Sequence, residues 1–253
     1  MPSAHAIFFI FTFILATFSN FAFAQHETAY TQHRHDLQST QVEYAIELGW
    51  ESKFVSEGRD NLKSGGVYWS GFAAQCQNLN GYARVGRGDR EHFVRWELGL
   101  EYTNSITDTL EATIGYQRLE FYGDERTNDN ELFSTLTYNG FGWVTPSINY
   151  TYATEAGGYF IELALYGAWQ ASHTWRLSPY ALIGLDYQLA TEQHNGLNHI
   201  QFGLESEYAL SHHLNLTGHI SHSIALDDIE KEVGYSSHEL NETFAGIYLN
   251  WTF

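Results

Sequence analysis

Acidic side chains recur at even spacing through most of this chain. Glu43 and Glu47, Glu97 and Glu101, and Glu205 and Glu207 are the clearest pairs. Even spacing places side chains on one face of a β-strand. Followed segment by segment, the same parity brings Glu111, Glu162, Asp186 and Glu242 to the same side, with Arg84 and Arg95 the main basic residues among them. Carboxylates gathered in one interior raise each other's pKa values and attract cations. Two readings follow: a narrow passage preferring cations or neutral solutes, or a solvated or plugged interior partly neutralised by Arg84 and Arg95. The rows of Lys and Arg that an acidic sugar would want are missing.

Other residues carry weaker signals. His219 and Ser221 share a face two positions apart, as a nucleophile and its base could. No third group stands at a recognisable spacing, and a polar lining is the plainer expectation, so no enzyme is expected. His26, His33 and His35 with Asp36 suit a transition metal by ligand type, but a solvated tail is the plainer expectation. No metal and no cofactor are assigned.

Composition excludes several classes. The chain has 253 residues, 30 acidic against 12 basic, for a net charge of −18. Nothing basic is available to neutralise phosphates, so nucleic acid is not an expected partner. The single Cys76 excludes an intramolecular disulfide framework and a cysteine-based zinc site. The chain carries 17 Tyr, 17 Phe and 7 Trp but only 3 Pro, and beyond the N-terminus it has no long apolar run. That excludes helical membrane spans without excluding a membrane barrel, whose strands alternate.

The first 24 residues read as an export signal. Residues 7–18 are apolar, and Ala22-Phe23-Ala24 gives a small-x-small cleavage pattern, although the n-region lacks Lys and Arg. Residues 25–40 are polar and read as a flexible arm. From 41 to 253 alternation scarcely stops. Val42, Tyr44, Ile46, Leu48 and Trp50 oppose Glu43, Ala45, Glu47 and Gly49; Ala181, Ile183, Leu185, Tyr187 and Leu189 oppose Leu182, Gly184, Asp186 and Gln188. With weaker segments at 66–74, 79–86, 131–138 and 146–152, there are about twelve stretches long enough to cross a bilayer as tilted strands. The expected fold is all-β, an antiparallel transmembrane β-barrel of about twelve strands, with ten as the alternative. On the apolar face the breaks are few, chiefly Arg118 near a strand end and His222. The longest connections, 53–65 and 227–238, fall on one side, as bacterial barrels require.

The stretch Ala245 to Phe253 resembles the closing strand of a bacterial outer-membrane barrel, with Leu249, Trp251 and Phe253 on its apolar face. That resemblance implies a Gram-negative outer membrane as location, outer-membrane lipid as surround, and the barrel-assembly machinery as reader of these residues. The segment after the first strand, with Ser52, Phe54 and Gly58, resembles the Ser-x-aromatic-x-x-x-Gly segment of the TorF-like porin family of proteobacteria. Glu57 stands where that family has Arg, and Arg59 follows. The resemblance implies porin-like passage of small hydrophilic solutes. Arg59 and Asp60 could fold inward as a constriction, but an exposed loop paired to its own charges is the plainer expectation. The alternative functions are a non-conducting barrel that binds through its loops and, behind it, a barrel hydrolase.

Overall fold

The computed structural model describes residues 42–123, 126–236 and 238–253. The export signal and the His-bearing arm lie outside the described residues. Twelve strands form the wall: β1 Val42–Glu51, β2 Val67–Cys76, β3 Leu79–Gly88, β4 Val94–Ser105, β5 Leu110–Tyr122 and β6 Arg126–Tyr138. The second half is β7 Val144–Ala153, β8 Tyr159–Gly167, β9 Trp175–Tyr187, β10 Asn195–Ala209, β11 Leu214–Ala225 and β12 Glu242–Thr252. Each strand pairs antiparallel with the next, and β12 returns to β1 with Leu48 opposite Leu249. The sheet is therefore a closed barrel. The four weak segments are all strands, and twelve is the count.

β8 resumes as Trp169–Ser172 after a break at Ala168, and its pairing with β9 lapses at Gly167 and Ala168. Pairing with β9 runs to Tyr166↔Tyr180 and restarts in the same register at Trp169↔Leu177. Pro179 lies opposite the gap and has no N–H to give the ladder. Between β9 and β10 the register slips after Gly184↔His199 to Leu185↔Leu197, which leaves Asn198 as an extra residue. This bulge turns both Asn198 and His199 into the interior.

Alternation divides the wall into two faces. Leu98, Leu100, Ile114, Leu132, Leu165, Phe202, Ile220 and Leu249 form an exposed apolar belt around the outside. Aromatics border it on both sides. Trp143, Trp169, Trp175, Tyr208, Trp251 and Phe253 ring the end with short turns, and Tyr68, Trp96 and Tyr152 lie toward the other. This is the surface a hydrocarbon layer with two polar boundaries requires. Inside, aromatic rings lie across glycines of neighbouring strands: a Cβ at Gly49 would fall 2.0 Å from the Tyr248 ring, and one at Gly99 2.0 Å from Tyr82. The missing side chain is what lets each ring lie flat on the sheet.

The long connections share one end of the barrel. Residues 52–66, 188–194 and 226–241 join strands there, while the opposite end has tight turns such as 77–78 and 173–174. The last long loop carries a short helix, α1 Asp227–Val233, closed by Gly234 in the left-handed conformation at φ 84°. Leu189 departs from the expected outward face. Asp186 accepts the N–H groups of Leu189 at 2.9 Å, Ala190 at 3.0 Å and Thr191 at 2.7 Å. This clamp turns the chain inward past Tyr187, and Leu189 packs with Ala153, Phe160 and Ala190. Arg118 stays on the outer face but is not bare: it meets Glu120 at 2.7 Å and Asn130 at 3.1 Å.

Candidate functional site in the barrel lumen

The lumen has two unlike halves. Behind β2 to β6 it is packed solid with paired polar groups. Arg84 meets Glu47 at 3.1 Å and lies 4.0 Å over the Trp69 ring. Arg95 Nε lies 2.7 Å from Glu97, without its N–H pointing along the contact, and its guanidinium sits 5.3 Å from both the Phe54 and Phe121 rings. Asn80 donates to Glu101 at 2.9 Å, Tyr82 to Gln117 at 3.2 Å, and Gln117 in turn to Glu131. Buried polar groups are costly without partners. Asn80, Tyr82 and Gln117 have theirs, whereas Arg95 and Glu97 hold each other by charge alone, with no hydrogen bond to any of their side-chain nitrogens or oxygens among the described residues.

The other half holds a cavity of about 150 Å³, room for on the order of ten waters. Glu47, Glu51, Glu162 and Glu205 reach it from the strands, with Tyr166, Tyr180, Phe244 and Tyr248 supplying aromatic walls. Arg84 is the only arginine or lysine among its lining residues.

The loop after β1 closes this cavity from the long-loop end. Its Val55, Ser56 and Glu57 line the cavity directly. Phe54, Val55 and Leu62 are buried, so the apolar residues of this segment take it into the barrel rather than into solvent. The expectation of an exposed loop is therefore corrected. Arg59 Nη2 donates to Ala190 O at 2.7 Å and Ser223 Oγ donates to Gly58 O at 3.3 Å, which tie it to the neighbouring loop and the wall. Within the loop, Asn61 N–H donates to Phe54 O at 2.8 Å. Gly58, at φ 78°, leaves no room for a side chain, since a Cβ would fall 2.6 Å from His199. Burial lowers the Arg59 pKa from its ordinary value, opposed by Glu57 and Asp186. Asp60 is pushed up to about 6, by burial first and also by the charge of Glu242.

A second plug element sits beside the first. Asp228 of α1 is fully buried and accepts from Asn198 Nδ2 at 3.2 Å, and Thr191 Oγ1 lies 2.9 Å from Asp186 and 3.1 Å from Asp228 with one proton to share between the two carboxylates. Burial, with Asp186 close by, pushes Asp228 up to about 6. A carboxyl whose folded pKa lies above its unfolded value near 3.8 favours the folded arrangement fully below about pH 4, and that contribution is lost as pH rises through 6. The seat of α1 is thus expected to loosen between about pH 4 and 6. Hydrogen exchange of residues 227–233, corrected for intrinsic rate, checks this: faster opening at pH 7.5 than at 4.5 in the wild type, and no such difference in Asp228→Asn.

The residues singled out by parity separate into groups. Glu47, Glu162, Glu205 and Arg84 line the cavity; Arg95, Glu97 and Glu101 are buried in the packed half and do not line it. Glu43 and Glu111 are half-buried near the short-turn end. Glu207 there is paired with Arg176 at 2.5 Å. Asp186 holds the 188–194 loop, and Glu242 meets Lys53 at 2.5 Å near the long-loop end. Leu249, Trp251 and Phe253 face outward. Sequence reasoning missed Glu51, although it continues the parity of Glu43 and Glu47, and Asp129 and Glu131, which lie in a weakly alternating strand.

His219 and Ser221 do meet, Nδ1 to Oγ at 3.2 Å, and Glu51 stands 3.6 Å from His219 Nε2. Ser221 is nonetheless buried, is bonded to Tyr180 OH at 2.7 Å, and does not line the cavity. Its hydroxyl is therefore not presented to the cavity, whereas His219 and Glu51 do line it.

No family model matches the chain, and no curated protein does. Solved structures do. A KdgM porin is similar with a TM-score of 0.56 at 10% identity, over 83% of this chain and 99% of that one. The KdgM porin in complex with disordered oligogalacturonate gives 0.57 at 9% identity over the same shares. A NanC porin gives 0.51 at 9% identity, over 82% of this chain and 98% of that one. At such identities the likeness is one of fold, and the fold is the porin-type β-barrel.

Proposed function

We propose that the chain is a porin-like channel of a Gram-negative outer membrane that passes small hydrophilic solutes, with a preference for cationic or neutral ones. The observation that carries this is the cavity wall, where Glu47, Glu51, Glu162 and Glu205 stand against Arg84, itself committed to Glu47. Negative lining raises the local concentration of cations and repels anions. One similar porin is described with oligogalacturonate, a polyanion; the wall described here suits the opposite charge. Ser52, Phe54 and Gly58 favour the TorF-like family for this porin. Its export would follow from residues 1–24, its insertion from Leu249, Trp251 and Phe253 presented to the assembly machinery, and its long loops would then face the cell exterior. Glu43 and Glu111 would draw cations at the short-turn mouth, Glu207 and Glu242 being paired with Arg176 and Lys53, and Arg59 with Asp60 would form the constriction.

One observation favours a second reading, a closed barrel that binds partners through its loops: Val55, Ser56 and Glu57 roof the cavity. Planar-bilayer recording of purified protein separates the two. Steady ionic conductance supports the channel, and a silent barrel supports the second reading.

A further inference from the structure

We infer that the lumen cavity is a binding site for a small organic ammonium ion, which names the solute class of the proposed channel and rests on that reading. The cavity is walled by carboxylates and by aromatic rings together. Glu205 has no hydrogen-bond or ion-pair partner among the described residues. Glu162, 4% exposed, accepts from Asn149 on Oε1 at 3.0 Å, and its second oxygen has no partner among them. Buried carboxylates without a counter-ion are costly, and a bound cation offsets that cost.

The aromatic rings decide which cation. Tyr166 on β8, the strand of Glu162, and Tyr180 on β9, next to the strand of Glu205, stack at 5.7 Å, and Phe244 and Tyr248 line the cavity from β12. Ring faces attract ammonium groups, with quaternary ammonium the best-suited guest. A metal ion has no use for such walls, and no group of three His, Cys, Asp or Glu able to hold one is present among the described residues. A neutral sugar would stack on the rings but leave the carboxylate charge uncompensated. At about 150 Å³ the cavity suits a compact ammonium compound rather than a chain.

The test is titration calorimetry on the full chain folded in detergent, with choline as probe and glucose as control. Choline is expected to bind saturably, and glucose not to. Glu162→Gln and Glu205→Gln are each expected to weaken choline binding about tenfold, with Glu205→Asp retaining most of it; heat-modifiable gel migration confirms that every variant is a folded barrel. Absence of choline binding, equal binding of glucose, or folded Gln variants that bind as the wild type does would overturn the inference. Conductance without choline binding removes this site and keeps the channel; choline binding without conductance keeps the site and removes the channel.

Discussion

Replacing residues 55–60 by Gly-Gly is expected to raise single-channel conductance several-fold. The excised residues include Val55, Ser56 and Glu57, which roof the cavity, and Gly58 and Arg59, which tie the loop to Ser223 and Ala190. The excision closes across an existing bond, since Asn61 already donates to Phe54 O at 2.8 Å, so two glycines span the gap. Phe54 stays against Trp69 and Phe93, which keeps the packed half of the lumen in place. Bilayer recording of wild type and variant side by side reads the effect. Equal conductance would mean that ions pass elsewhere and that this loop is no constriction.

Arg95→Ala is expected to destabilise the barrel by about 3–5 kcal/mol, the cost of breaking a buried ion pair from one side. Arg95 and Glu97 are each 1% exposed, and removal of the guanidinium leaves Glu97 in a closed interior without its counter-charge. Two aromatic faces lose their cation as well, Phe54 and Phe121. The double variant Arg95→Met with Glu97→Leu is expected to recover most of the loss, because paired apolar replacements of similar volume remove both desolvation costs. Urea unfolding in vesicles, followed by tryptophan fluorescence, checks both. A loss below about 1 kcal/mol for Arg95→Ala would show that the pair is dispensable. Because Phe54 packs on Arg95, the same variant links the wall of the barrel to the seat of the inserted loop.

Much of the wall was legible because strand periodicity is a local signal. Leu98 and Glu97 declare opposite faces within two residues, and the exposed belt and buried carboxylates follow from that rule applied strand after strand. The connections were harder. Phe54, Val55 and Leu62 have no periodic neighbours, so only the closed barrel reveals that they lie inside it. Leu189 continued an outward parity that ended at Tyr187, and what ended it was the Asp186 clamp on three following N–H groups. The inward turn of Asn198 beside His199 depends on a register slip, which no single strand records. The meeting of Glu51 with His219 also joins residues 168 positions apart, across the β11–β12–β1 seam. Parity named the carboxylates, but it could not say that Glu97 and Glu101 would be locked in a packed half while Glu162 and Glu205 faced open space.

The central claim is that uncompensated lumen carboxylates select what enters. The most direct measurement is the reversal potential of the wild-type channel in a planar bilayer under a tenfold KCl gradient, repeated with Glu162→Gln/Glu205→Gln. The account predicts a potential of the sign set by potassium, shifted toward zero in the double variant. A potential of the sign set by chloride, or one unmoved by removing both charges, would contradict it.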